Sequence, residues 1–139
     1  MRVFLDANVL FSAAFRETGS VRVFFSLADA GACTLVSSGH ALGEARRNAA
    51  AKHPERLPDL EALATRVALC REPPADTLTW AAAQGLPPKD APILAAAIDA
   101  RCHLLVTGDR AHFGRLFGRQ LRGTVVALPV DALRIVIGD

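Results

Sequence analysis

The sequence has few lysines, few cysteines and no long apolar run, and each shortage narrows the classes of function. Only Lys52 and Lys89 are lysines, so arginine carries most of the positive charge of a chain whose formal net charge is +2. The planar guanidinium group suits phosphate, and this mild charge permits a nucleic-acid partner without requiring one. The three cysteines lie far apart with no Cys-x-x-Cys pair, which argues against a disulfide framework and a zinc knuckle.

Two further absences concern location and reaction class. No stretch approaches the roughly 18 consecutive apolar residues that a membrane-spanning helix needs. Asp6 and Asn8 interrupt the apolar start of the chain before the core of a signal peptide can form. We therefore expect no membrane association and a cytoplasmic location. The Gly-x-Ser-x-Gly turn that exposes the nucleophile of many serine hydrolases is also missing.

Short apolar runs alternate with alanine-rich helical patterns along the 139 residues. Hydrophobic residues make up 51% of the chain and charged residues 22%, which is enough apolar material for the core of one domain spanning 1–139. Strands are predicted near 3–5, 33–36, 68–71, 103–106 and 124–128. This alternation predicts an α/β fold with a parallel sheet that helices cover on both faces.

Two of the predicted strands end at an aspartate, Asp6 after VFL and Asp109 after LLVTG. Ligands of open α/β sheets bind beyond the carboxyl ends of the strands. Glu44, early in the helix after the second strand, and Asp90, at the start of a later helix, could reach the same edge. Four carboxylates there would repel one another and need a cation. Oxygen ligands without a cysteine or histidine cluster favour Mg²⁺ or Mn²⁺.

Each acid taken alone also has a simpler explanation. Asp90 is placed to cap the helix that follows it, and Asp109 to form a turn. Glu44 could be a solvated helix position. Asp6 is harder to explain in this way, because an acid directly after a buried strand loses hydration unless something pairs with it. His53, His103 and His112 show no ligand spacing. His40 and Glu44 stand four residues apart and could share one helix face, as a metal-binding pair or, more simply, as a solvated pair.

Together these residues resemble the PIN-domain family of Mg²⁺-dependent ribonucleases, which includes the VapC-type toxins of toxin–antitoxin modules. The resemblance covers nearly the whole chain and is carried by FLDANVLFSA, KDAPILAAAIDA and LLVTGDRAHF. Asp-x-Asn after the first strand, Asp-Ala-x-Ile at a helix start and Thr-Gly-Asp after a later strand are specific as a combination. The resemblance implies a three-layer α/β/α sandwich with a parallel sheet of about five strands and an acidic metal pocket at its carboxyl edge.

The resemblance also implies which residues form the site. The metal-binding and catalytic acids are, by position, Asp6, Glu44, Asp90 and Asp109. Asn8 and Thr107 would support the pocket by hydrogen bonding. The match at Glu44 rests only on a small-residue helix start and an acid near its first turns. Arg110 stands where the family often has a further acid, so the number of metal ions stays open.

Arginines follow two of the acids along the chain. Those expected to bind the RNA backbone are Arg46, Arg47, Arg110 and Arg115. The alternative is that they form the solvated faces of amphipathic segments. With these residues, the resemblance implies an endoribonuclease that uses Mg²⁺ or Mn²⁺ to hydrolyse single-stranded RNA. It also implies a toxin neutralised by an antitoxin protein, in a family in which homodimers are common.

Two other hypotheses remain from the sequence. In the first, Asp6 is the nucleophile of a phosphoryl-transfer enzyme similar to haloacid dehalogenases or receiver domains. Ala7 and Asn8 stand where those families usually place a second acid, which disfavours it. In the second, the chain is a catalytically silent PIN-fold module that binds RNA or a protein. The set of four acids argues against the loss of catalysis.

Overall fold

Six strands form one sheet in the computed structural model, which describes residues 1–138. They are β1 (Arg2–Leu5), β2 (Thr34–Ser38), β3 (Ala68–Cys70), β4 (Leu104–Val106), β5 (Gln120–Leu121) and β6 (Thr124–Ala127). Their order across the sheet is β3-β2-β1-β4-β6-β5. The five predicted strands are confirmed and pair in parallel, whereas β5 runs antiparallel to β6. With only two residues, β5 is too short to show a strand pattern in the sequence.

Helices connect the strands and cover both faces of the sheet. They are α1 (Ala7–Phe15), α2 (Ser20–Asp29), α3 (Gly39–Lys52), α4 (Leu57–Ala64), α5 (Ala75–Ala82), α6 (Ala91–Asp99), α7 (Arg110–Phe113) and α8 (Pro129–Ile137). The connections β1–β2–β3 and β3–β4 run in opposite directions across the sheet, so right-handed crossovers place their helices on opposite faces. This is the expected three-layer α/β/α sandwich. Among residues 1–138, no helix has the length and hydropathy that crossing a bilayer requires.

The core lies along the two central strands and the helix that leads into β4. Residues 3–5 of β1 and Leu104–Val106 of β4 are almost completely buried. The same holds for residues 93–97 of α6. Parallel strands covered on both faces have no solvent-facing side, which explains why these strands are uninterrupted apolar runs.

The register of the two central strands decides where the polar residues that follow them lie. Leu5 pairs with Val106 in the parallel ladder, so the next residues, Asp6 and Thr107, leave the sheet side by side. The backbone N–H of Asp6 continues the ladder by donating to the carbonyl of Val106 at 3.0 Å. The sheet thereby fixes the first pair of side chains at its carboxyl edge.

The core beneath this edge is tested by comparing two isoleucines. Ile93 is fully buried in α6, whereas Ile137 is 58% exposed at the end of α8. We expect Ile93→Ala to lower the free energy of unfolding by about 2–5 kcal/mol, because it removes buried methyl groups and leaves a cavity. The matched control Ile137→Ala should change it by less than about 0.5 kcal/mol. Urea denaturation measures both, and equal losses would contradict this placement of the core.

Candidate metal centre

Asp6 is buried at the junction between β1 and α1, with 4% of its surface exposed. Its Oδ1 accepts a hydrogen bond from the backbone N–H of Ala7 at 2.7 Å and so caps α1. Its Oδ2 accepts from the Thr107 hydroxyl at 2.8 Å and from Asn8 Nδ2 at 3.2 Å. The carboxylate is therefore fixed in orientation by three donors, two of which are neutral side chains.

Burial raises the pKa of Asp6 to about 6. The hydrogen bonds from Thr107 and Ala7 lower it, and the negative charges of Glu44 and Asp90 raise it further. Desolvation is the largest of these effects, because the charged form loses its hydration when the group is buried. The neighbouring donors do not fully compensate, so a positive charge nearby would stabilise the ionised form.

Asn8 and Thr107 join the start of α1 to the loop that follows β4. Asn8 Nδ2 donates to Thr107 Oγ1 at 3.2 Å, and Asn8 Oδ1 accepts from the Gly108 N–H at 2.8 Å. A Cβ atom at Gly108 would lie 3.3 Å from that oxygen, so the close approach favours glycine there. Thr107 Oγ1 also accepts from the Asp109 N–H at 3.2 Å. This network links the positions of Asp6 and Asp109.

Asp109 caps α7 with one carboxylate oxygen and presents the other to the site. Its Oδ1 accepts from the backbone N–H of His112 at 3.0 Å. Its Oδ2 lies 2.8 Å from Nδ1 of the same histidine. The alternative predicted for Asp109 is a turn, whereas the structure shows it as the N-cap of α7, at the carboxyl edge of the sheet.

Asp90 stands at the N-cap position of α6, but its side chain makes no capping hydrogen bond within residues 1–138. The capping explanation is therefore wrong, and the reason is local: Asp90 has helical dihedrals, φ −97° and ψ −20°, instead of the extended ones that N-caps usually adopt. Its Oδ2 lies 3.0 Å from His112 Nδ1. Burial raises the pKa of Asp90, and the neighbouring His112 and Lys89 oppose that rise.

Glu44 is half-buried on α3, where it lines a cavity of about 450 Å³. The other residues lining the cavity include Asn8, Ser12, Gly108, Asp109 and Pro129. The negative charge of Glu44 raises the pKa of both Asp6 and Asp90. The structure thus gathers the four acids expected from the sequence at one edge of the sheet.

His112 was missed by the sequence analysis, which found no ligand spacing around it. Asp90, Asp109 and His112 each offer one ligand atom, and these three atoms lie within 4.8 Å of one another. The available signal was the spacing of three residues between Asp109 and His112 at a helix start, which places both on one side of a helical turn. Asp90 joins them only through the tertiary fold.

The four arginines expected to bind RNA differ in their surroundings. Arg46 forms two hydrogen bonds with the Glu61 carboxylate, at 2.6 and 2.9 Å. Arg115 donates to the carbonyl of Gly85 at 3.3 Å. The two remaining side chains are exposed; they are Arg47 and Arg110. Arg46 and Arg115 thus already have protein partners.

The residues at this edge fit a divalent metal ion. Asp90 Oδ2 is buried and, within the described part of the chain, makes no hydrogen bond of acceptable geometry. Such an oxygen is costly unless another group satisfies it. Carboxylate oxygens suit Mg²⁺ and Mn²⁺, and one imidazole nitrogen is compatible with the second of these ions.

The charge of Asp6 should make folding stability depend on pH in a specific way. Its folded pKa of about 6 exceeds the unfolded value of 3.8, so between these values the folded state binds more protons. The wild type therefore loses stability as the pH rises from about 4 to 6. Without divalent ions, the stability of Asp6→Asn relative to that of the wild type should rise by roughly 2–3 kcal/mol between pH 4 and pH 7.

Urea denaturation in EDTA from pH 4 to pH 8 measures this difference. Asp131→Asn is the matched control, because Asp131 is a largely exposed carboxylate on α8, and its effect should stay constant over the same range. An Asp6→Asn effect that does not grow between pH 4 and pH 6 would contradict the burial of a charged carboxylate.

Comparison with known proteins places this arrangement in a family. The sequence model described as the PIN domain matches residues 2–111. No curated protein matches the sequence. Solved structures that share the fold include a chain from the crystal structure of Rickettsia felis VapBC2, which is bound to a DNA fragment from the VapBC2 promoter. Its TM-score is 0.68 at 18% identity, covering 92% of this chain and 98% of that one.

Two further solved structures share this fold. A chain of VapBC-1 from nontypeable Haemophilus influenzae has a TM-score of 0.61 at 18% identity, covering 94% of this chain and 99% of that one. A chain of FitAB bound to an IR36 DNA fragment has a TM-score of 0.56 at 20% identity, covering 91% and 94%. At these identities the structures establish a shared fold. The family match spans most of the sequence, and the chain therefore belongs to the PIN domain family.

Proposed function

We propose that the protein is a divalent-metal-dependent endoribonuclease that hydrolyses phosphodiester bonds of single-stranded RNA, and that it is the toxin of a toxin–antitoxin module. The observation that carries the proposal is the meeting of buried Asp6 and Asp90 with Asp109 at one sheet edge. Membership of the PIN domain family supports the same reaction class.

Mg²⁺ or Mn²⁺ would be held by Asp6, Glu44, Asp90 and Asp109. An ion held there supplies Lewis-acid polarisation of a phosphate and lowers the pKa of water. Asn8 and Thr107 are positioning residues, because they orient the carboxylate of Asp6 and the loop that carries Asp109.

The cavity beside these acids is large enough to receive part of a substrate. Its volume of about 450 Å³ falls within the range of small-ligand sites, and Glu44 and Asp109 contribute to its wall. A phosphodiester entering from solvent would therefore meet carboxylates on one side and the start of α1 on the other. The cation that the carboxylates require is also what would attract the phosphate.

Exposed arginines near the acids would bind the RNA backbone. Arg47 lies on α3 after Glu44, and Arg110 directly follows Asp109. Both are exposed, so they are better placed for phosphate contacts than Arg46, which is paired with Glu61. Arg115, bonded to Gly85, would join the contact only by giving up that hydrogen bond.

An antitoxin protein is the proposed partner. The solved structures that share this fold are named as the VapBC2, VapBC-1 and FitAB assemblies, which supports a toxin–antitoxin setting. A second copy of this chain is a further proposed partner, since homodimers are common in the family that the sequence resembles. A cytoplasmic location accords with an RNA substrate.

RNA cleavage by active-site variants tests the proposal. We expect the wild type to cleave a randomised single-stranded RNA pool or total RNA in Mn²⁺, and Asp6→Asn to reduce cleavage by about 100-fold or more. The reason is that this variant removes a negative charge from the metal centre while it keeps the size and planar shape of the side chain. Gel analysis of end-labelled RNA measures the rate, and circular dichroism verifies the fold.

Asp131→Asn, which changes a largely exposed carboxylate on α8, should cleave at the wild-type rate. Full activity of Asp6→Asn would contradict the assignment of the site. A wild type that binds RNA and Mn²⁺ but never cleaves would instead show a silent binding module. A wild type that does not bind Mn²⁺ would contradict the proposed metal centre.

A further inference from the structure

The imidazole of His112 lies between two of the proposed metal-binding carboxylates. Its Nδ1 is 2.8 Å from Asp109 Oδ2 and 3.0 Å from Asp90 Oδ2. These are the three residues whose ligand atoms lie within 4.8 Å of one another. The nitrogen therefore occupies the point where two carboxylates converge.

The position of the ring is built into the fold. The backbone N–H of His112 donates to Asp109 Oδ1 at 3.0 Å, which sets the first turn of α7. The next residue, Phe113, is completely buried and anchors this short helix in the core. The ring is thus held at a fixed place beside Asp109, with about a third of its surface exposed.

Hydrogen bonding alone leaves this contact incomplete. Asp90 Oδ2 and His112 Nδ1 are both buried atoms, and over residues 1–138 neither makes a hydrogen bond of acceptable geometry. Only 5% of the surface of Asp90 is exposed. A buried oxygen and a buried nitrogen that face each other without a good hydrogen bond indicate that a further group binds both.

The distances match those between neighbouring ligands of a metal ion. Bonds of about 2.1 Å to an octahedral ion place adjacent ligand atoms about 3 Å apart. We infer that His112 Nδ1 is a metal ligand, so that Asp90, Asp109 and His112 form a mixed oxygen and nitrogen site that selects Mn²⁺ over Mg²⁺. This inference rests on the metal centre of the proposed function and extends it to a residue that the four acids do not include.

The selectivity follows from ligand chemistry. Imidazole nitrogen suits transition-metal ions, whereas Mg²⁺ favours oxygen ligands and retains its water. The opposing explanation is that the ring is a cation that substitutes for the metal ion between the carboxylates. The two explanations make opposite predictions, because removal of a ligand weakens metal binding and removal of a competing cation strengthens it.

Calorimetric titration of the full chain with Mn²⁺ and with Mg²⁺ separates them. We expect H112A to weaken Mn²⁺ binding by about tenfold or more, since even groups that only orient ligands are worth that much, and to change Mg²⁺ binding by far less. H103A is the matched control, because His103 is exposed before β4 at the opposite edge of the sheet, and it should bind both ions as the wild type does. H112Q replaces H112A if the alanine variant does not fold.

A spectroscopic measurement on the wild type does not depend on any variant folding. Electron spin-echo modulation of the Mn²⁺-loaded protein should show coupling to a histidine nitrogen, changed by ¹⁵N-histidine labelling and absent from H112A or H112Q. Absence of this coupling from the wild type would overturn the inference. Mn²⁺ binding by H112A that equals or exceeds that of the wild type would also overturn it.

The outcomes distinguish this inference from the proposed function. A wild type that cleaves RNA, with H112A binding Mn²⁺ unchanged, removes only the role of His112. A wild type that does not bind Mn²⁺ overturns both the inference and the metal centre on which it depends.

Discussion

Burial of the Asp6 carboxylate at the end of an apolar strand is the constraint around which the edge of the sheet is organised. The group is 4% exposed, and its surroundings supply three hydrogen bonds, none of them, within residues 1–138, from a charged side chain. Burial still raises its pKa to about 6. The fold therefore retains at neutral pH a charge that its own donors do not fully stabilise. A bound divalent ion would remove that deficit, so the proposed activity and the stability of the fold involve the same group.

Much of this arrangement can be predicted from the sequence, because it follows from the physics of parallel sheets. Strands buried on both faces must be continuous apolar runs, so the five parallel strands can be predicted directly from such runs in the sequence. Residues that follow parallel strands emerge at the same edge of the sheet, so Asp6 and Asp109 could be assigned to that edge. That β1 and β4 are neighbours within the sheet is known only from the structure. The antiparallel strand β5 could not be predicted, because a strand of two residues is too short to show periodicity.

Other features of the site could not be predicted from the sequence, because they depend on backbone dihedrals and on contacts between residues that are far apart along the chain. A helix-start aspartate is ordinarily a cap, and only the helical dihedrals of Asp90 show that its carboxylate is not used in that way. The position of His112 is set by the helical turn that Asp109 caps. Its third neighbour, Asp90, comes from the distant start of α6. Arg46 pairs with Glu61, fifteen positions away on α4, and no local pattern predicts that partner.

The same side chains combine local roles in the fold with the proposed metal site. Asp6 and Asp109 each use one oxygen to cap a helix. The other oxygen of Asp109 lies against His112, and that of Asp6 accepts from Thr107 and Asn8. The central claim is that a divalent ion binds where these side chains and Asp90 meet. The most direct test is anomalous diffraction from a crystal of the protein containing Mn²⁺. We expect an anomalous peak among Asp6, Asp90 and Asp109. A well-ordered edge with no peak, or a peak only elsewhere, would contradict the binding of a divalent ion there.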